Sequence, residues 1–298
     1  MGCLNEMSLY AEVAGASTHK IANSCRTEVP VSFWPLMKHL HLLSTDFDGT
    51  LVGFSSDGTC SGGFAEVLTE YRKNGGLWAI NTGRGIQHAR EGIARFRAPS
   101  PPDFLLTNER EVFRRCLSGE WENHGEWNRL CESRHEELFE QSKSLLVEIQ
   151  ELMGFHEGSQ IIHENSLPVG LITATEEQME RVAGELLAIT KTVPNFSFQR
   201  NTIYLRFCHS DYDKGTALSE LCRLEGILKD HVFCAGDHLN DLPMLTLQHA
   251  AMLACPSNAI PAVQEAVREA GGHVASLRYA DGVAEGILHH GGRAASLS

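Results

Sequence analysis

The run Leu40-His41-Leu42-Leu43-Ser44-Thr45 reads as a short apolar strand, and it ends in Asp46-Phe47-Asp48-Gly49-Thr50, the polar and glycine chemistry of a strand exit. A helix is expected over 63–74, with Phe64, Val67, Leu68 and Tyr71 on its apolar side and Asn74-Gly75-Gly76 as its stop. A second strand at 77–81 leads through Thr82-Gly83-Arg84-Gly85 into a helix ending near Phe96. Strand, loop, helix, strand, loop, helix is the grammar of a parallel sheet with crossover helices, an α/β fold. It also restricts where chemistry can sit, because open sheets of this kind bind ligands beyond the carboxyl ends of their strands.

After the Pro-rich segment 98–102 and a short strand at 103–107, the character changes. Residues 108–208 show a long charged helix at 133–153, a strand at 168–173, a helix at 175–190 and a strand at 202–208, which is α+β order. The alternation resumes with a helix at 214–226, a strand at 232–235, a loop at 236–240, a helix at 241–247, a strand at 250–254 and a helix at 259–270. A last strand and helix follow at 273–276 and 281–289. The division expected is a core at 37–98 and 209–290, an inserted domain at 99–208, an N-terminal arm at 1–36 and a frayed tail at 291–298.

The 298 residues carry 25 Lys and Arg against 38 Asp and Glu, a formal charge of −13. That balance argues against a general nucleic-acid binder or a polybasic membrane binder, since both need clustered cations. It raises the question of which carboxylates hold a cation. The 9 cysteines include no CxxC pair, so neither a zinc ribbon nor a disulfide framework is expected. No apolar stretch reaches the length of a membrane span, no secretory signal opens the chain, and Glu6 breaks the myristoylation pattern that Met1-Gly2 begins. A cytoplasmic location is expected.

Four junctions carry candidate chemistry. Asp46 and Asp48 leave the first strand together, so both can face one crevice, hold a hard cation through oxygen and supply a nucleophile and an acid/base group. Thr82, Gly83 and Arg84 offer a hydroxyl and backbone N–H groups at a helix start, suited to an anionic oxygen. Lys214 stands in the first turn of a helix, where the helix dipole disfavours a cation and a neighbouring anion would account for it. Asp237, Asn240 and Asp241, in Gly236-Asp237-His238-Leu239-Asn240-Asp241, can place further oxygen ligands opposite the first pair.

Taken in order, Asp-x-Asp-Gly-Thr, Thr-Gly-Arg, Lys-Gly and Gly-Asp-x-x-Asn-Asp resemble the four motifs of the haloacid dehalogenase-like hydrolases, over about residues 39–289. The long interval between Thr82 and Lys214 matches the C2 cap of that superfamily. Ser257-Asn258-Ala259 and Asp281-Gly282-Val283-Ala284 are similar to its Cof-like and sucrose-phosphate phosphatase branch. The resemblance implies a Rossmann-like core with an α+β C2 cap, and a phosphatase acting on a small phosphorylated metabolite, a sugar phosphate. It implies Asp46 as nucleophile, Asp48 as acid and base, and Thr82, Gly83, Arg84, Lys214 and Asn240 as phosphate- and substrate-binding groups. Mg²⁺ would be held by Asp46, Asp48 through its backbone carbonyl, Asp237 and Asp241. A phosphomutase of the same superfamily and a non-catalytic phosphate-binding regulator are the alternatives. Glu109, Trp121 and Trp127 are candidate cap residues for specificity, and His238 reads as a solvated loop histidine.

Overall fold

The structure, a computed structural model, describes residues 39–53, 57–164 and 167–294. The arm expected at 1–36 lies outside the described residues. Among the described residues twelve strands are formed: β1 (Leu42–Thr45), β2 (Leu77–Asn81), β3 (Phe104–Thr107), β4 (Glu111–Arg115), β5 (Trp121–Asn123), β6 (Gln160–Glu164), β7 (Leu167–Ile172), β8 (Phe196–Asn201), β9 (Tyr204–His209), β10 (Val232–Ala235), β11 (Met252–Cys255) and β12 (His273–Val274). The helices are α1 (Gly62–Lys73), α2 (Ile86–Phe96), α3 (Trp127–Gln141), α4 (Lys143–Met153), α5 (Glu176–Ile189), α6 (Lys214–Glu225), α7 (Pro261–Glu269) and α8 (Tyr279–Ala294).

Eight strands form one sheet in the order β12-β11-β10-β1-β2-β3-β4-β5, parallel from β12 to β3. β1 pairs with β10 through Ser44 and Cys234 and with β2 through Ser44 and Ala79. Chain order runs outward from β1 in one direction and from β10 in the other, so the topological switch falls between them, at the carboxyl end that carries Asp46. Alternation along the strands feeds two cores. Leu43, Trp78 and Ile80 pack with Phe64, Leu68 and Ile287 on one face. Leu42, Ala79 and Leu106 pack with Leu218, Leu221 and Val263 on the other.

Helices α3, α4 and α5 and strands β6 to β9 surround a third core, which includes Leu138, Ile149, Val182, Leu205 and Phe207. Its antiparallel sheet has the order β6-β7-β9-β8. Since Leu205 and Phe207 face the helices, Tyr204, Arg206 and Cys208 alternate to the opposite face, opposite Asn201, Gln199 and Ser197 of β8. The edge strand β8 packs against the segment Leu239–Asp241, bringing this unit onto the carboxyl end of the large sheet.

Several expectations change. β3, β4 and β5 belong to the large sheet: β3 continues it parallel to β2, and β4 and β5 extend it as an antiparallel meander. The second unit therefore begins after β5 and not at residue 99, and the prolines at 99, 101 and 102 only connect α2 to β3. The long helix expected at 133–153 starts at Trp127 and divides at Ser142, whose hydroxyl donates to the Leu138 carbonyl at 2.6 Å. The helix expected at 241–247 is absent among the described residues, and a 3-10 turn at Leu239–Asp241 takes its place ahead of Pro243. Residues 291–294 continue α8, whereas 295–298 lie outside the described residues.

Phe64 is fully buried and meets Trp78 edge-on at 5.9 Å between ring centroids. Phe64→Ala is expected to lower unfolding stability by about 3–5 kcal/mol, read from the urea midpoint.

Candidate active site

Lys214 opens α6 behind Asp213, which caps the helix by accepting from the Thr216 amide at 2.8 Å while the Thr216 hydroxyl accepts from the Asp213 amide at 2.9 Å. Its side chain is 0% exposed, and Nζ donates to Asp46 Oδ1 at 2.7 Å and to Asp241 Oδ1 at 2.6 Å. Asn81 fixes the same turn from β2 by donating to the Lys214 carbonyl at 2.9 Å. Burial alone would drive the ammonium to neutrality, but Asp241 and Asp46 outweigh it and hold Lys214 protonated, well above the ordinary lysine range.

Asp46, Asp237 and Asp241 bring carboxylate oxygens within 4.8 Å of one another, all buried. Asp241 is already committed: Oδ1 takes Lys214, and Oδ2 accepts from the amides of Asp237 at 2.8 Å and His238 at 2.9 Å. Asp237 Oδ1 accepts from Thr50 Oγ1 at 2.7 Å. Two glycines make the approach possible. Gly49 has φ +85°, and a Cβ there would stand 2.3 Å from Asp237 Oδ2; a Cβ on Gly236 would stand 2.4 Å from that of Asp241. Asn258 ties down the first loop by donating to the Gly49 carbonyl at 2.7 Å.

One ammonium among three close carboxylates leaves the cluster short of positive charge. Burial pushes the Asp46 carboxyl up to about 7, against the opposing pull of Lys214. Burial, then Asp46 and Asp241, push Asp237 up to about 8. The donors are hard oxygens, which suit a divalent cation of the Mg²⁺ or Ca²⁺ type. The residues therefore fit a metal, with Asp46 and Asp237 as carboxylates that would hold it and Asp241 as the group that orients Lys214 and the 237–238 amides.

The remaining candidates are placed as follows. Asp48 does not join the carboxylate cluster; both of its oxygens accept from Arg84, Oδ2 from Nε and Oδ1 from Nη2, each at 2.6 Å. The Arg84 guanidinium, expected to meet substrate, is engaged by that fork. Thr82 is buried, and its hydroxyl accepts from the Arg84 amide at 3.2 Å. Asn240 Nδ2 donates at 2.8 Å to Oε1 of Glu109, which sits in the β3–β4 turn of the large sheet and not in the inserted unit. Burial pushes the Glu109 carboxyl up, opposed by Lys214 and by the Asn240 hydrogen bond. Trp121 packs against the large-sheet core, and Trp127 donates to the Arg110 carbonyl at 2.6 Å and packs against Tyr212, so neither lines the cluster. His238 is buried, not solvated, and burial pulls its imidazole down.

Thr50 and Asn258 were not singled out as site residues from sequence. The Thr of the first motif carried a usable signal; Asn258 had only a short three-residue similarity.

The family model for haloacid dehalogenase-like hydrolase matches residues 135–287. The chain belongs to the haloacid dehalogenase-like hydrolases. No curated protein matches the chain in sequence. Among solved structures, the chain is similar to the sucrose-phosphatase of Synechocystis in complex with sucrose and phosphate, at 18% identity and TM-score 0.61, covering 84% of this chain and 97% of that one. It is also similar to the haloalkanoate-superfamily phosphatase BT1666 of Bacteroides thetaiotaomicron, at 18% identity and TM-score 0.55, covering 89% and 99%. A Thermoplasma acidophilum protein aligns at 17% identity and TM-score 0.56, covering 84% and 98%. These likenesses establish the shared fold: a Rossmann-like parallel core with a second unit inserted.

Folded-state carboxyls raised from 3.8 to about 7 and about 8 hold protons that the unfolded chain has already lost. Between those values the folded state binds more protons, so the stability of the metal-free protein falls as pH rises from about 4 to 8. In EDTA, Tm is expected to drop between pH 5 and pH 8, and a divalent cation, which takes over the role of those protons, is expected to raise Tm most at pH 8.

Proposed function

We propose that this hydrolase is a Mg²⁺-dependent phosphomonoester phosphatase that works through an aspartyl-phosphate on Asp46, with a sugar phosphate as substrate. The observation that carries the reading is the buried network at the switch point, in which Lys214 holds Asp46 Oδ1 and Asp237 and Asp241 bring carboxylate oxygens within 4.8 Å of Asp46. Oδ2 of Asp46 attacks phosphorus in line, forming the Asp–phosphate bond as the ester P–O bond breaks. Asp48 gives its proton to the leaving alcohol oxygen. It then takes a proton from the water that attacks the aspartyl-phosphate, releasing phosphate and restoring Asp46.

Arg84 holds Asp48 through both oxygens, so opening of that pair precedes each proton transfer. Thr82 and Lys214 stabilise the phosphoryl oxygens as charge builds on them. Each carboxylate would repel a phosphate dianion by roughly 1–4 kcal/mol at about 4 Å. Asp46, Asp237 and the Asp48 carbonyl would hold a Mg²⁺, which when bound would supply the positive charge that offsets this repulsion. The phosphate and sugar bound to the sucrose-phosphatase of the same fold support a small phosphorylated substrate. Free thiols at all seven described cysteines, and the absence among the described residues of a helix able to cross a membrane, are compatible with a cytoplasmic enzyme.

Phosphate release from 4-nitrophenyl phosphate and a panel of sugar phosphates is expected with Mg²⁺ and is expected to vanish in EDTA. Release without a bisphosphate activator separates a phosphatase from a mutase. Asp46→Asn is expected to lower kcat by at least about a thousandfold with the circular dichroism spectrum unchanged. Activity that persists in EDTA, or near-normal turnover of Asp46→Asn, overturns the mechanism.

A further inference from the structure

The turn that joins β3 to β4 holds two successive non-glycine residues in the left-handed region, Asn108 at φ 50° and Glu109 at φ 64°. Asparagine tolerates that conformation, whereas glutamate there is strained in a way that glycine would not be. What the strained backbone presents is a carboxylate, and the residue is only 7% exposed. The Glu109 amide donates to the Thr82 carbonyl at 3.1 Å, and a Cβ at Gly83 would stand 3.2 Å from Oε1. The side chain therefore lies over the Thr82-Gly83 turn, facing the loop of Asp237 and Asp241, which Asn240 joins to it at 2.8 Å.

That hydrogen bond also orients the Asn240 amide. With Nδ2 committed to Glu109, Oδ1 is an acceptor, and it is buried without a hydrogen-bond partner among the described residues in a side chain only 2% exposed. Among the described residues Glu109 accepts one side-chain hydrogen bond, at Oε1. Asn240 Oδ1 thus presents an acceptor in need of a donor, with the Glu109 carboxylate beside it at the Thr82-Gly83 turn. On the facing sheet, Arg206 donates to Glu164 Oε1 at 3.3 Å and also acts on the Glu109 carboxylate. Its charge is therefore already opposed by two acids.

We propose that Glu109 and Asn240 form a specificity subsite that accepts hydrogen bonds from hydroxyl groups of the alcohol part of the phosphoester. Polyol and sugar phosphates are selected, and phosphoesters whose alcohol part carries a carboxylate are rejected by like charge and by the lack of donors. This rests on the phosphatase reading above and adds to it the groups that choose the substrate.

The test compares kcat/KM of the Mg²⁺-loaded protein for sorbitol 6-phosphate, 2-phosphoglycolate and 4-nitrophenyl phosphate, which has no hydroxyl on its leaving group. The unaltered protein is expected to prefer sorbitol 6-phosphate to 2-phosphoglycolate by about tenfold or more, the worth of one hydrogen bond to a charged group. Glu109→Gln, matched in volume, is expected to reduce that preference by about tenfold, chiefly through KM for sorbitol 6-phosphate, and to lower its ratio to 4-nitrophenyl phosphate. Ratios within about twofold of the unaltered protein's overturn the subsite. If Glu109→Gln does not fold, the preference of the unaltered protein decides alone, and a preference for 2-phosphoglycolate overturns the proposal. Hydrolysis of none of the three overturns the phosphatase reading as well.

Discussion

A buried ammonium between two carboxylates organises this molecule. Lys214 has no contact with solvent, and its charge is stable there only because Asp46 and Asp241 arrive from separate strand ends to meet it. Those acids in turn require the loops that carry them to be held: Asp241 by the amides at 237 and 238, the Asp46 loop by Asn258 at the Gly49 carbonyl, and Lys214 by Asn81. Removing any one partner would leave a charge uncompensated in a dry setting. The network consequently does two jobs, joining β1, β2, β10 and α6 at one point and gathering three buried carboxylates around one ammonium.

The parallel core was legible in the sequence because its signals are local. Apolar runs such as 40–45 and 77–81, each followed by Gly and Asp chemistry, announce strands whose ends carry the site. Asp46, Lys214, Asp237 and Asp241 were found for the same reason, and the structure brings them together. The inserted unit was harder to read. Its strand β6 is largely exposed, β8 is half-buried and lacks a continuous apolar run, and Ser142 divides a helix through a hydroxyl-to-carbonyl bond that no periodicity reveals. The prolines before β3 look like a boundary but are only a connection, since pairing of β3 with β2 is a long-range event.

Side-chain destinations were the least legible. Arg84 stands where an anion-binding group is expected and instead grips Asp48 with a two-point fork. Glu109 reads from sequence as a candidate cap residue, and only the backbone pairing and the Asn240 contact show that it belongs to a turn of the large sheet and faces inward. The histidine of the fourth motif lies buried because β8 of the inserted unit covers the segment that carries it, a contact between parts of the chain that sequence spacing does not encode.

Asp46 and Lys214 lie 168 positions apart along the chain yet share a proton donor and acceptor at 2.7 Å. The residues from α3 to β9 fold on a separate core, and the chain leaves the large sheet at its edge strand β5 and re-enters it at β10, beside β1. The entropy of closing such a loop grows only logarithmically, about 0.6 kcal/mol for each doubling of length. Residues can therefore be added to, or exchanged within, the inserted unit with little effect on how readily Asp46 and Lys214 find each other.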